Sequence, residues 1–163
     1  MSRPDWMIDE LIYAGDEHLD PAYVAGYDQK SAVDHAGDLE TLQAQGLDSE
    51  SVVVDLGAGT GLFALAVAPL CKRVVAVDVS VSMLAVLERE IELRDVSNIE
   101  AVHAGLLSYD HQGQRADCVY SRNTLHHLPD YWKALALRRI FGMLRPGGVC
   151  LMNDLLYSFD IPE

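Results

Sequence analysis

Basic residues and long apolar runs are both scarce in this sequence, and each scarcity excludes a class of function. The chain has 12 Lys and Arg against 25 Asp and Glu, which gives a formal net charge of −13. Nucleic-acid binding depends on clustered Lys and Arg that neutralise phosphates, and no such cluster occurs, so we expect no nucleic-acid partner. The longest apolar run is about half of the roughly 20 residues that a membrane-spanning helix needs, so we also expect no membrane partner.

Cysteine is rare as well, and the three cysteines are not spaced as metal ligands. Cys71, Cys118 and Cys150 lie in separate apolar segments without a C-x-x-C pair, which is typical of reduced thiols buried in a core. The first 20 residues lack an apolar stretch and are too acidic for a signal or transit peptide. These features predict a cytoplasmic protein without a metal site.

The acidic charge is concentrated in the first 50 residues, which contain 12 Asp and Glu but only Arg3 and Lys30 as basic residues. We interpret this region as a solvated helical segment; the alternative is a surface that attracts a cationic substrate. Asp20 before Pro21 is typical of a helix start over about 21–29, and Gly46 of a helix end. We therefore predict a helical N-terminal segment, 1–50, on the substrate side, and a second domain, 51–163.

Strand-like and helix-like stretches alternate through the second domain. We predict five strands, at 52–56, 73–79, 98–106, 116–123 and 148–157. The intervening segments are amphipathic or apolar helices, the last of them ended by the RPGG sequence at 145–148. This alternation predicts an α/β fold, a Rossmann-like open parallel sheet of order 3-2-1-4-5 with helices on both faces. Its ligand crevice should lie between strands 1 and 4, where the winding reverses.

The turn after the first strand reads DLGAGTG, with glycines at 57, 59 and 61. Such a turn is expected to direct bare backbone N–H groups at a ligand. Its G-x-G-x-G spacing differs from the dinucleotide fingerprint, which would place the third glycine where Leu62 stands. The carboxylate of Asp55 at the strand end would repel a pyrophosphate and suits a cationic amine. The alternative role of Asp55 is to brace the loop.

A second carboxylate follows the second strand. Asp78 lies 19 residues after Gly59, close to the spacing at which an acid binds a ribose diol. The alternative is that Asp78 caps the helix that begins near Ser80. S-adenosylmethionine is a nucleoside with a ribose diol, a cationic amine and no phosphate, so it fits both carboxylates.

Four segments together resemble the class I S-adenosylmethionine-dependent methyltransferases, and the resemblance covers about residues 51–157. The segments are VVVDLGAGTG, VVAVDVSVSML, ADCVYSRNTLHHLPD and LRPGG. The resemblance implies a methyltransferase with S-adenosylmethionine as its cofactor.

The resemblance also implies roles for individual positions. It assigns Asp55, Gly57, Ala58, Gly59 and Gly61 to the methionine end of the cofactor, Asp78 to the ribose, Val79 and Met83 to adenine, and Ser121 and Asn123 to the methionine moiety and the reacting methyl. Tyr23 or Tyr27 could contact the cofactor as part of a lid, with packing in the core as the alternative.

The sequence departs from the family at two places. Many relatives carry an aspartate after strand 3 that binds the adenine amino group, whereas this chain has Gly105 there. Backbone groups around 104–107, which include Gly105 and Leu106, are expected to hold adenine, or packing alone does so. The family sheet also has two further strands, so we expect a C-terminally short domain that self-associates through the exposed edge of strand 5.

The residues after strand 4 bear on the acceptor. His126 is a candidate general base, with the alternative that one residue of the pair His126 and His127 packs on the sheet and the other caps a helix. Arg122 either pairs with a substrate carboxylate or braces the acidic N-terminal segment. The Asn/Asp-Pro-Pro-aromatic motif of nucleic-acid and amide methylating members is absent, which favours a small-molecule acceptor. A non-catalytic cofactor-binding module completed by a partner chain, and an NAD-dependent oxidoreductase, are the alternatives.

Overall fold

Short runs of β-branched and small apolar residues form the five strands of one parallel sheet. The computed structural model describes residues 4–24, 26 and 34–155. The strands are β1 Val52–Leu56, β2 Arg73–Asp78, β3 Ile99–His103, β4 Ala116–Arg122 and β5 Leu144–Asn153. Their order is β3-β2-β1-β4-β5, and every pairing is parallel, which confirms the predicted topology.

The helices lie on both faces of the sheet, as predicted. They are α1 Pro21–Val24, α2 Ala36–Ala44, α3 Leu62–Val67, α4 Val81–Leu93 and α5 Asp130–Met143. Successive side chains of a strand point to opposite faces. Val53 therefore belongs to a core cluster with α2, α3 and α4, while Val54 belongs to a second cluster with α5. Because β1 is central, all five of its residues are buried.

The start of β5 was predicted four residues too late. The helix before it ends at Met143, so RPGG does end that helix, but pairing with β4 already begins at Leu144 opposite Ala116. A register shift between Ala116 and Cys118 accommodates the Pro-Gly-Gly sequence. Proline is tolerated here because β5 has only β4 as a neighbour in the described sheet.

The prediction that all three cysteines are buried is wrong for one of them, which lies on the edge strand β5. Cys71 and Cys118 are buried, as predicted, but Cys150 is exposed. The thiol lies on the outermost strand of the described sheet, where fewer elements pack against it than against β1 or β4.

Within the described residues, the N-terminal segment consists of three short helical turns followed by the nine-residue helix α2. Asp20 Oδ1 accepts a hydrogen bond from Ala22 N at 2.9 Å, and Gly46 at φ +98 follows the end of α2, so both predicted caps are confirmed. The predicted helix over 21–29 extends to Val24, and the rest of that range, with Tyr27, lies outside the described residues except for residue 26.

Two aromatic rings help to fix the beginning of this segment. Trp6 stacks on Trp132 of α5 with ring centroids 6.1 Å apart. Met7 and Ile8 then pack against the core on the α5 face of the sheet. Among the helices that the structure describes, none combines the length and the apolar character needed to cross a bilayer.

Candidate functional site

One cavity opens at the carboxyl ends of the strands, where the loops after β1, β2, β3 and β4 meet the N-terminal segment. Ten of the cofactor-binding residues proposed from the sequence line it: Asp55, Gly57, Ala58, Gly59, Asp78, Val79, Met83, Gly105, Leu106 and Asn123. Parallel strands end at the same edge of a sheet, which is why residues from four distant parts of the chain converge here.

Asp55 is the most unusual group in the cavity wall. Its side chain is only 2% exposed, and its Oδ2 atom has no hydrogen-bond partner among the described residues. Burial, reinforced by the nearby charge of Asp78, raises the pKa of Asp55 to about 8. A buried carboxylate without a partner is costly unless a ligand compensates it. The alternative that Asp55 braces the loop finds no support in the described residues, and a cationic amine fits the site.

Asp78 holds the glycine loop and leaves part of its carboxylate to the cavity. Its Oδ2 accepts a hydrogen bond from Gly59 N, and its Oδ1 accepts one from Ser80 N, both at 2.8 Å. Burial raises the pKa of Asp78. The residue that caps α4 is Ser80, whose Oγ accepts from Met83 N at 3.1 Å, so the helix-cap alternative for Asp78 is wrong. A carboxylate offers about four acceptor sites, so a diol can still bind here.

The backbone of the glycine loop is not arranged to bind an anion. Gly57 N and Ala58 N both donate to Val77 O, at 2.8 and 3.0 Å, and Gly59 N donates to Asp78. The expectation of bare N–H groups is therefore wrong for these three residues, because the neighbouring strand β2 supplies acceptors for all of them. This arrangement suits a ligand without phosphate.

The three glycines serve different purposes. A Cβ atom on Gly57 would lie 2.1 Å from Thr124 Oγ1, and one on Gly61 would lie 2.2 Å from Leu87 Cδ1. A Cβ atom on Gly59 would meet no protein atom within 4 Å, although its φ is +56. Gly57 and Gly61 are therefore needed for packing, and Gly59 leaves open space on the ligand side. Gly61 lies outside the cavity wall.

Two further predicted residues, Ser121 and His126, also lie outside the cavity wall. Ser121 is fully buried, and its Oγ donates to Leu56 O at 2.9 Å, which ties β4 to β1. His126 Nδ1 lies 2.5 Å from Asp154 Oδ1, and the neighbouring residue His127 lines the wall instead. No group of three or more potential metal ligands occurs in the part of the chain that the structure describes.

A polar cluster around Asp38 lies beside the cavity near β4, where its members His35, Tyr120 and Arg122 line the wall. Asp38 Oδ2 accepts hydrogen bonds from Tyr120 Oη at 2.6 Å and from Arg122 Nη1 at 2.7 Å, and His35 Nδ1 lies 3.5 Å from the same oxygen. Tyr120 also stacks on Phe63 with ring centroids 3.5 Å apart. Of the two alternatives for Arg122, the structure thus shows the brace to the N-terminal segment.

Burial sets the protonation of this cluster. It lowers the pKa of His35, which favours the neutral imidazole, and it raises the pKa of Tyr120, which keeps the phenol protonated. The only signal in the sequence was the i, i+2 spacing of Tyr120 and Arg122, which brings both side chains to one face of β4. Their partners in α2 are more than 80 residues away in the chain.

Glu10 is a second cavity residue that the sequence did not reveal. Its carboxylate accepts hydrogen bonds from Leu107 N at 2.9 Å and Ser108 N at 3.1 Å, in the loop after β3.

Tyr23, proposed as a lid contact, lies instead with its ring 6.3 Å from that of His18 and is not part of the wall.

Comparisons with known proteins identify the family of this chain. Residues 53–148 match the family model described as a methyltransferase domain. The chain is 30% identical to carboxy-S-adenosyl-L-methionine synthase of Photorhabdus laumondii over 96% of this chain and 61% of that protein. It is 38% identical to cypemycin N-terminal methyltransferase of a Streptomyces species, over 62% of this chain and 40% of that protein.

Solved structures share the fold. The complex of DhpI with SAH superimposes with a TM-score of 0.68 at 26% identity, over 84% of this chain and 67% of that one. The YcgJ protein from Bacillus subtilis gives a TM-score of 0.64 at 25% identity, over 74% and 51% of the two chains. The chain spans about 40–61% of the length of the two curated relatives named above. Its fold and the matched family model place it among the class I S-adenosylmethionine-dependent methyltransferases, to which it belongs.

Proposed function

We propose that this chain transfers the methyl group of S-adenosylmethionine to a small-molecule acceptor. The observation that carries this proposal is the buried Oδ2 atom of Asp55 at the end of β1, which has no hydrogen-bond partner in the part of the chain that the structure describes. Asp78 lies at the tip of the adjacent strand β2. The two acids fit the amine and the ribose diol of the same ligand.

The cavity residues would act mainly by binding and orientation. The bound cofactor supplies a methyl group on a sulfonium centre, which leaves readily as a thioether. Asp55 would fix the amino acid end, while the side chains of Val79, Met83 and Leu106 offer an apolar surface to the base. Holding the methyl group in line with an acceptor and away from water is catalysis by proximity.

His35 is the wall residue best suited to take a proton from the acceptor. Its lowered pKa favours the neutral ring, and Asp38 and Tyr120 lie beside its Nδ1 atom. A base of this kind is needed only when the nucleophile carries a proton with a high pKa. His126, the base proposed from the sequence, lies outside the wall, so we give the role to His35.

Two features support a small acceptor. The N-terminal segment, through Glu10, Ala14 and His18, covers part of the cavity, which limits the size of what can enter. The net charge of −13 disfavours a polyanionic substrate.

Isothermal titration calorimetry tests the first half of the proposal. S-adenosylmethionine and S-adenosylhomocysteine should bind, and NADH should not, since the loop N–H groups are already used. Methyl transfer from radiolabelled cofactor to a panel of small amines, thiols, phenols and carboxylates tests the second half. Binding without transfer to any acceptor would favour the non-catalytic module, and a response to NADH alone would favour an oxidoreductase.

A second candidate is modification of the cofactor itself. The similarity to carboxy-S-adenosyl-L-methionine synthase extends over 96% of this chain, so it includes the N-terminal residues that line the cavity. If this chain shares that activity, the nucleoside that copurifies with it should be carboxy-S-adenosylmethionine. Mass spectrometry of the denatured protein separates the two candidates, because a methyltransferase retains the unmodified cofactor or its demethylated product.

A further inference from the structure

Glu10 lies over the loop that follows β3, far from its own neighbours in the sequence. Leu107 N and Ser108 N donate to its carboxylate, and Ser108 Oγ donates to Oε2 at 3.0 Å. Ser108 Oγ in turn accepts from Gly105 N at 2.7 Å. Three donors thus fix the position of the carboxylate, while the residue still forms part of the cavity wall.

Gly105 makes room for this carboxylate. A Cβ atom at that position would lie 2.4 Å from the carboxyl carbon and both carboxyl oxygens of Glu10. Any side chain at 105 would therefore displace Glu10, so the glycine in the β3 loop and the acid in the N-terminal segment depend on each other.

Among the described residues, three carboxylates line the cavity, one at the end of each of three adjacent strands. Asp55 ends β1, Asp78 ends β2, and Glu10 covers the loop after β3, and these three strands are neighbours in that order. Adjacent strands lie about 4.8 Å apart, so the three carboxylates span the length of an extended nucleoside. Independently, the Oδ2 atom of the buried Asp55 has no hydrogen-bond partner among residues 4–24, 26 and 34–155, which indicates that these carboxylates face a ligand.

We propose that Glu10 accepts a hydrogen bond from the exocyclic amino group of adenine and thereby selects adenosyl cofactors over inosyl ones. The inference rests on the proposed function, because it takes an adenosyl amino acid as the ligand. With the amine at Asp55 and the diol at Asp78, the base extends toward β3 and reaches Glu10.

The chemistry of the base explains the selectivity. Adenine presents an N–H donor at the position where hypoxanthine presents a carbonyl acceptor. A carboxylate has about four acceptor sites, and the loop occupies three of them on Glu10. The remaining site can take the adenine N–H, whereas the oxygen of hypoxanthine would face a second acceptor and leave both unpaired.

The test compares two ligands that differ only at this group. S-adenosylhomocysteine and S-inosylhomocysteine are titrated into the wild-type chain by calorimetry. We expect S-adenosylhomocysteine to bind at least about tenfold more tightly, the scale of a hydrogen bond to a charged group. The Glu10→Gln variant, whose amide can donate to the hypoxanthine oxygen, should lose most of this preference.

A matched control separates recognition from support of the loop. Ser108→Ala removes one anchor of Glu10 but keeps its carboxylate, so it should weaken both ligands alike and leave their ratio unchanged. Equal affinity of the two ligands for the wild-type chain would overturn the inference without any variant. If S-adenosylhomocysteine binds and the ratio is the same in Glu10→Gln, this inference alone fails. If neither ligand binds, the proposed function fails with it.

Discussion

At the scale of single residues, the buried acid at the end of β1 links folding to binding. Burial holds the pKa of Asp55 at about 8 in the folded chain, against about 4 in an unfolded one. The native state without ligand therefore keeps the proton over this range, and a cationic amine would favour its release. Asp55 thus lowers the stability of the ligand-free chain where it is charged, and under the proposed function it would contribute affinity for a cationic ligand.

This linkage predicts that cofactor binding releases a proton. At pH 7, titration of S-adenosylhomocysteine in buffers of different ionisation enthalpy should show net proton release from the wild-type chain. The Asp55→Asn variant should show weaker binding without that release. Release of the same size in Asp55→Asn would mean that the proton comes from another group.

The same residue determines part of the stability profile of the ligand-free chain. The folded-state pKa is raised, so the contribution of Asp55 is fully present below pH 4 and is lost as pH rises through 8. In urea unfolding, the wild-type chain should lose stability relative to Asp55→Asn across this window. If the free energy of unfolding of the two proteins had the same dependence on pH, the raised pKa of Asp55 would be contradicted.

Asp78 should be required for affinity. Asp78→Ala removes the proposed diol acceptor and the hydrogen bond from Gly59 N, so we expect S-adenosylhomocysteine binding to weaken by about 1–3 kcal/mol. Asp110→Ala, which removes an exposed carboxylate outside the cavity, serves as the control for net charge. Unchanged affinity in Asp78→Ala would remove the ribose assignment.

The acidic residues at the ends of strands could be predicted from the sequence, whereas the cavity residues of the N-terminal segment could not. Asp55 and Asp78 follow local patterns, a strand and then a glycine loop or helix. Glu10 and His35 carry no such pattern, because Leu107, which binds Glu10, and Tyr120, which contacts His35, lie more than 80 residues away. Pairings of that separation are decided by packing of the N-terminal segment on the sheet, which no local spacing encodes.

At the scale of elements, the glycine loop combines close packing at two of its glycines with open space at the third. Gly57 and Gly61 permit close packing against Thr124 and Leu87, and Gly59 leaves the ligand side open. The alternation of elements, the strand order and both helix caps followed from the sequence. The start of β5 did not, because pairing of an edge strand through a Pro-Gly-Gly bulge overrides the turn preference of those residues.

A pair of matched substitutions separates the two kinds of glycine. Gly59→Val should abolish S-adenosylhomocysteine binding, since its side chain enters the cavity, while the circular dichroism spectrum stays native. Gly61→Val should instead lower the free energy of unfolding by about 1–3 kcal/mol or more, because it collides with Leu87. Normal binding by Gly59→Val would show that the loop does not face the ligand.

At the scale of the whole molecule, two core clusters lie on either side of the central strands, and the N-terminal segment covers the end where the cavity opens. Glu10 and Asp38 each fix a part of this segment to the sheet domain by hydrogen bonds to the loop after β3 and to β4. The segment is thereby part of the site. This coupling explains why residues 51–163 were enough to predict where the cavity lies, although residues of the N-terminal segment form part of its wall.

The outer edge of β5 leads to a proposal on assembly. β5 is the edge strand of the described sheet, and Phe141 in the last turn of the helix before it is 80% exposed. Exposed edges pair readily with other strands, so we propose that this chain self-associates through β5. Light scattering after size-exclusion chromatography should show a mass that rises with concentration. A monomer at every concentration would contradict the proposal.

The position of the amino group of bound S-adenosylhomocysteine in a crystal of the complex tests the central claim most directly. We predict that its nitrogen lies about 3 Å from Asp55 Oδ2, with the ribose hydroxyls at Asp78. An amino group directed away from Asp55 into solvent, or a ligand bound outside this cavity, would contradict the assignment of the site.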